Sequence, residues 1–298
     1  MTDGDVVLHV EGLRMRYGTT DVLRDVSFQA RQGEVLCLLG PNGAGKTTTI
    51  EIMEGFRLRS AGRVDVLGTD PARGDEHWRA RVGIVLQSWR DHGKWRVREL
   101  LEHLGSYYRA YSTEATPRPW DAQRLITAVG LTEQADKKVR MLSGGQRRRL
   151  DVAIGLVGRP ELVFLDEPTA GLDPVARHGF HELIEGLAEE GETTILLTTH
   201  DLAEAEKLAD RILVLEGGRI IADGTAAELA RQIAGEDEVS WTHCGRSFRQ
   251  STAESTRLVF ELFKEYGEAI GDLEVRRASL EDTYLSLVRQ AESEGAAR

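Results

Sequence analysis

Residues 40–48 read GPNGAGKTT. The run fits the spacing G-x-x-x-x-G-K-[ST] from Gly40 to Thr47. An almost wholly apolar segment, GEVLCLLG, precedes it and a helical pattern, TTTIEIMEGF, follows, which is the strand–loop–helix context such a loop requires. In that setting Gly40, Pro41, Asn42, Gly43, Ala44 and Gly45 form a turn whose backbone N–H groups converge on phosphate oxygens, and the helix N-terminus adds partial positive charge. Lys46 reaches the β and γ phosphates, the Thr47 hydroxyl offers Mg²⁺ a hard oxygen ligand, and Thr48 continues the loop into the helix.

Two further stretches carry matching chemistry. LVFLDEP gives four apolar residues and then Asp166 and Glu167. Beside a phosphate loop, an aspartate at a strand end helps to hold Mg²⁺, and Glu167 is placed to take a proton from the attacking water or to orient it. MLSGGQRRRL, residues 141–150, reads as a helix start. Ser143 can cap it, Gly144 and Gly145 expose backbone N–H groups, and QRRRLDVAIGLV continues the helix, so this is a second anion site. One molecule would struggle to bring both Gly-rich turns to one nucleotide. Arg147, Arg148 and Arg149 point in different directions at helical spacing and read as surface charges pairing with acidic neighbours.

The elements around these motifs alternate. Short β segments (VVLHVEGLRMRY, VLRDVSFQA, GEVLCLLG) open the chain, and GRVDVLG and RVGIVLQ follow the loop helix. Residues 97–140 turn helical, with apolar positions at helical spacing in VRELLEHLGSYYRAY and DAQRLITAVGL. Strands return as ELVFLDE, TTILLTTH and RILVLEGGRII, the last read as one strand over 211–221, with helices between them. Strands alternating with helices predict a mostly parallel sheet with right-handed crossovers. Beyond Gly224 the pattern is a short helix, then strand, helix, strand, helix.

At 298 residues, with 41% hydrophobic and 29% charged residues, the chain can bury the core of a large α/β domain with an appendage. A net charge of −11 argues against nucleic acid as a partner, because phosphate binding needs basic surface. No apolar run approaches the ~18 residues that span a bilayer, and the acidic N-terminus lacks a signal-peptide profile. Cys37 lies in an apolar run and reads as core. Cys244 follows His243, but no second ligand pair stands nearby, so no metal site is read there.

Taken together, the chain resembles the ATP-binding subunits of ABC transporters over residues 6 to about 222. The resemblance rests on Tyr17 before the loop, GPNGAGKTT, Gln87 in GIVLQ, LSGGQ at 142–146, VFLDEP at 163–168, GLD at 171–173 and His200 ending ILLTTH. It implies a P-loop α/β fold with an N-terminal antiparallel β subdomain, a helical subdomain at about 97–157 inside a nucleotide-binding domain of residues 1–222, and a small α+β extension over 223–298. It implies ATP hydrolysis with Mg²⁺ held by Thr47, Gln87 and Asp166, and catalysis by Glu167, Gln87 and His200. Tyr17 would stack on adenine, Asp173 would link two nucleotide sites, and His200 would contact the γ-phosphate. Ser143, Gly144, Gly145 and Gln146 of one copy would close over the γ-phosphate held by Lys46 of another, a head-to-tail dimer with two identical sites.

The segment ASLEDTYLSL (278–287) resembles the C-terminal segment of ABC-2 exporter ATPases of the daunorubicin-resistance group; it also fits a helix with a serine cap and an acidic first turn. The resemblance implies a peripheral protein at the cytoplasmic face of the membrane. Its partners would be integral permease subunits of the six-helix type, exporting a drug-like or lipid-like substrate. A soluble ABC ATPase without a membrane partner and an importer ATPase are the alternatives. One stretch departs from the family pattern: SWRDHGKWRVREL after Gln87 clusters Trp89, Arg90, His92, Lys94, Trp95, Arg96 and Arg98. With the rest of the chain so acidic, it reads as a docking surface for the membrane subunit or a solvated loop.

Overall fold

A computed structural model describes residues 5–85, 92–189, 193–233, 237–252 and 254–276. The chain divides into two compact units, Met1–Ile220 and Ile221–Arg298.

In the first unit, β1 (Val6–Tyr17) and β2 (Thr20–Arg31) pair antiparallel, and β4 (Ala61–Val66) pairs antiparallel with the other edge of β1. Alternate residues of β1 and β2, among them Leu8, Val10, Val26 and Phe28, are buried, so period-2 patterning fixes the inner face of this sheet. The second sheet has the order β5-β6-β7-β3-β8-β9. It comprises β3 (Val35–Leu39), β5 (Val82–Val85), β6 (Leu162–Asp166), β7 (Thr194–Thr199), β8 (Arg211–Glu216) and β9 (Arg219–Gly224). From β5 to β8 every neighbouring pair is parallel. Every residue of β3 and β7 is buried; β3 accordingly reads as an unbroken apolar run, while β7 carries three buried threonines around its apolar centre.

The helices of this unit are α1 (Lys46–Met53), α2 (Glu76–Arg79), α3 (Val97–Ser106), α4 (Ala122–Ala128), α5 (Gly144–Leu156), α6 (Pro174–Glu189) and α7 (Leu202–Leu208). α3 to α5 form the helical segment between β5 and β6. Gly83 and Gly155 let α5 lie on β5: a Cβ at Gly83 would stand 2.4 Å from the Gly155 carbonyl oxygen.

The second unit holds α8 (Ala226–Ile233) and an antiparallel sheet of order β11-β10-β12, made of β10 (Asp237–His243), β11 (Arg246–Thr252) and β12 (Ile270–Arg276), with Leu262 of α9 (Ser255–Tyr266) packed with Val239 and Trp241 of β10.

The structure corrects two expectations. RILVLEGGRII is two strands, because Gly217 and Gly218 both take positive φ (53° and 77°) and break the run. A Cβ at Gly218 would also meet the Val22 carbonyl at 2.3 Å. In the tail, RSFRQST forms β11, where no strand was read; its residues are mostly exposed and show no alternation. ASLEDTYLSL lies outside the described residues.

Candidate functional site

The parallel register brings the motifs to one edge. Leu39 pairs with Thr199 across β3 and β7, and Asp166 pairs with Thr198 across β6 and β7. The loop after Leu39, the Asp166–Glu167 pair and His200 therefore leave adjacent strands at the same carboxyl end, where open α/β sheets bind ligands. The first loop turns on Gly43 (φ 85°) and Gly45 (φ 108°). Gly40 is required for another reason: a Cβ there would meet the Leu215 carbonyl at 2.3 Å.

Lys46 opens α1 and is buried, its ammonium donating to the carbonyls of Gly40 (2.8 Å) and Pro41 (3.1 Å) and lying 3.2 Å from Glu167 Oε1. The other carboxylate oxygen of Glu167 is 3.4 Å from His200 Nδ1. The Thr47 hydroxyl donates to Asp166 Oδ2 at 3.1 Å. Tyr17, Asn42, Gly43, Gly45, Lys46, Thr47, Thr48 and Glu167 line one cavity of about 400 Å³. Tyr17 is 39% exposed, with the Arg57 guanidinium 5.2 Å from its ring centroid. Gln87 lies outside the described residues.

Sequence reasoning missed two residues. Thr198, fully buried, donates to Asp166 Oδ1 (2.6 Å) and accepts from the Glu167 backbone N–H (2.9 Å). It thereby fixes both acidic residues, and holds Glu167 in a left-handed turn at φ 42° that a non-glycine residue adopts at a cost. Its signal was a threonine pair ending an otherwise apolar strand. Arg148 is the second, and corrects the reading of three surface arginines. Arg147 does pair with Asp151 (3.2 Å). Arg148 is buried instead, donating to the Pro168 carbonyl (2.6 Å), and burial pulls its pKa down. The Arg149 guanidinium packs against Gly130 and Gly179.

The second Gly-rich turn forms a separate surface. Ser143 caps α5 through the Gln146 N–H, and the Gln146 amide returns a bond to the Ser143 N–H, a reciprocal cap. The Asp173 carboxylate caps α6 through the N–H groups of Val175 and Ala176. Ser143, Gly145, Gln146, Arg149 and Asp173 line a cavity of about 550 Å³. It shares no lining residue with the Lys46 cavity. A Cβ on Gly145 would press on Ala176, whereas Gly144 faces open space.

Of the basic cluster after Gln87, Trp89 and Arg90 lie outside the described residues. Arg96 donates to the Asp136 carbonyl (2.7 Å), Arg98 stands 4.0 Å from the Asp136 carboxylate, and Trp95 packs on His103. Much of the cluster is thus engaged within the helical segment.

A family model described as ABC transporter matches residues 23–170. The Nod factor export ATP-binding protein I of Ralstonia nicotianae is 42% identical over 233 residues, 78% of this chain and 71% of that protein. The daunorubicin resistance ATP-binding protein DrrA3 of Streptomyces coeruleorubidus is 40% identical (78% and 72% covered), and the linearmycin resistance ATP-binding protein LnrL of Bacillus subtilis 34% (80% and 76%). Among solved structures, the ATP-binding subunit of an ABC transporter superposes with a TM-score of 0.65 at 30% identity, covering 76% of this chain and 92% of that one. With a phosphate loop, an acidic pair and a histidine gathered at one sheet edge, the chain belongs to the ABC transporter family as an ATP-binding subunit that hydrolyses ATP.

Proposed function

We propose that this chain powers export through a separate membrane permease, and that it works as a head-to-tail pair with two composite sites. Export is supported by the relatives named for Nod factor export and for daunorubicin and linearmycin resistance. Among the described residues no helix is long and apolar enough to cross a membrane; the proposed membrane path is a permease of six-helix ABC-2 type, with this chain at its cytoplasmic face. Drug-like or lipid-like cargo is the proposed substrate class.

The observation that carries the pairing is the separation of the two half-sites together with the open space at Gly144. Gly144 has an ordinary φ, and among the described residues an added Cβ there would meet nothing within 4 Å outside its own helix, so only a group from outside would be crowded by a side chain there. The γ-phosphate of ATP held at Lys46 in a second copy is the group that fits there.

Within each site, Tyr17 stacks on adenine and the loop N–H groups and Lys46 hold the phosphates. Thr47 Oγ1 and Asp166, side by side, are a hard oxygen pair suited to Mg²⁺, with Gln87 as the third proposed contact. Among the described residues no cluster of three or more acidic, histidine or cysteine side chains could hold a metal alone, and Mg²⁺ commonly completes its shell with phosphate oxygens and water. When bound, it offsets charge on the β and γ oxygens. A γ-phosphate competes with Glu167 for Lys46, freeing the Glu167 carboxylate to take the proton of the attacking water. His200 contacts the γ-phosphate and keeps Glu167 in place.

Gly144→Val tests this reading. It has room in the monomer, so ATP binding should stay within about twofold while ATP-driven pairing and hydrolysis are lost. Loss of ATP binding by the folded monomer would refute the composite site.

A further inference from the structure

α6 begins directly after Asp173, and α7 begins after Asp201, which caps it and follows His200. Three polar pairs join these helices in step: Arg177 donates to Asp201 Oδ2 at 3.0 Å, His181 Nε2 stands 3.5 Å from Glu204 Oε1, and Lys207 lies 3.6 Å from Glu185. Residues 177, 181 and 185 are spaced by four along α6, and 201, 204 and 207 by three along α7, so each set faces its partner helix. The outer pairs are partly exposed, but Glu204 is 1% and His181 7% exposed.

The middle of this ladder is unfinished. Arg177 Nε, His181 Nε2 and Glu204 Oε1 are all buried and have no hydrogen-bond partner among the described residues. His181 Nε2 and Glu204 Oε1 face each other at 3.5 Å, longer than a good hydrogen bond, so this buried contact is under-satisfied, and that is costly. Burial holds the His181 pKa down, and replacing a buried polar pair by apolar residues of equal volume is frequently stabilising, so stability alone does not account for the pair. The surroundings are polar too: Glu204 acts electrostatically on Arg148 of α5, whose guanidinium holds the Pro168 carbonyl just after Glu167. A shift of a few tenths of an ångström between α6 and α7 would bring His181 and Glu204 within hydrogen-bond range.

We propose that Arg177, His181 and Glu204 are positioning residues: they join the Asp173 loop to His200 as a latch that closes when a second copy engages Asp173. This rests on the head-to-tail pair proposed above. Asp173 caps α6, so a pull on its carboxylate moves the first turns of α6, where Arg177 and His181 stand. Those residues grip Asp201, the N-cap of α7, and Glu204 in its first turn, and His200 immediately precedes Asp201. Engagement at one site thereby orients the histidine of the other.

The test uses the full chain, measuring ATP hydrolysis against ATP concentration, nucleotide binding, and ATP-driven pairing by light scattering in a Glu167→Gln background. His181→Ala and Arg177→Ala should each lower kcat about tenfold through misplacement of His200, with KM and ATP affinity within about twofold of wild type. Pairing should persist and the Hill coefficient should fall to 1. His181→Gln, which can still donate to Glu204, should recover most of kcat and cooperativity. Arg177 is half-exposed, so its variant keeps the test valid if His181→Ala fails to fold. Variants that keep the wild-type Hill coefficient, or a wild-type coefficient of 1, overturn the latch. A Glu167→Gln chain that stays monomeric with ATP overturns instead the pairing on which the latch rests.

Discussion

Glu54, which follows α1, is 7% exposed and lines a groove of about 370 Å³ with Phe56, Trp78, Ile84, Tyr108 and Ile154. Burial, then the negative fields of Asp166 and Glu51, push its pKa from the ordinary 4.5 up to about 8. The sign follows from linkage. The folded chain keeps a proton that the unfolded chain releases above 4.5, so stability is full below that pH and falls until the folded pKa is passed near 8. At about 1.4 kcal/mol for each pKa step of one, the loss reaches about 3 kcal/mol at pH 7 and about 5 kcal/mol above pH 8. Against typical stabilities of about 5–15 kcal/mol this is large. Glu54→Gln removes the titrating group and keeps the shape. Urea unfolding, followed by tryptophan fluorescence from pH 5 to 8.5, should show wild type weakening as pH rises. The variant should be flatter, within about 1 kcal/mol of wild type at pH 5 and ahead by about 3–5 kcal/mol at pH 8.5. Parallel pH profiles for the two proteins would refute the assignment of a buried neutral carboxyl.

Three further outcomes follow from the site and its support. Glu167→Gln should bind ATP normally and hydrolyse it about 10²–10⁴-fold more slowly, read by single-turnover assay; wild-type rates would remove Glu167 from the role of base. Arg148→Ala should strip the Pro168 carbonyl of its buried donor and cost about 1–3 kcal/mol, with a matching loss of kcat, measured by thermal unfolding and steady-state kinetics. Gly83→Ala should drive a methyl into the Gly155 carbonyl and cost about 1–3 kcal/mol through forced displacement of α5 from β5, seen as a lowered melting temperature.

Much of the sheet edge that gathers the phosphate loop and the acidic pair was legible in the sequence because each motif is local. A phosphate loop needs its glycines, lysine and threonine within nine residues, and the carboxylates follow one apolar strand. Thr198 and Arg148 were not legible, because their roles depend on partners far along the chain: Thr198 meets Asp166 and Glu167 only through the β6–β7 register. Arg148 looked like one of three equivalent arginines until the turn at Pro168 gave it a carbonyl. The Gly217–Gly218 turn was misread since apolar residues flank it on both sides. β11 was missed because exposed polar residues such as Arg246, Arg249 and Gln250 give a strand no alternation to read.

The composite site is tested most directly by mixing two inactive chains. Lys46→Ala breaks the phosphate loop and Gly144→Val breaks the second Gly-rich turn. Each should be inactive alone, because both sites of either homodimer carry the lesion. In a mixed head-to-tail pair one site carries both lesions and the other carries none. Equal mixing should therefore recover ATP hydrolysis, up to about a quarter of the wild-type rate, since half of the pairs are mixed and each has one intact site. A mixture as inactive as its components, although both chains fold and pair, would contradict a site shared between two copies.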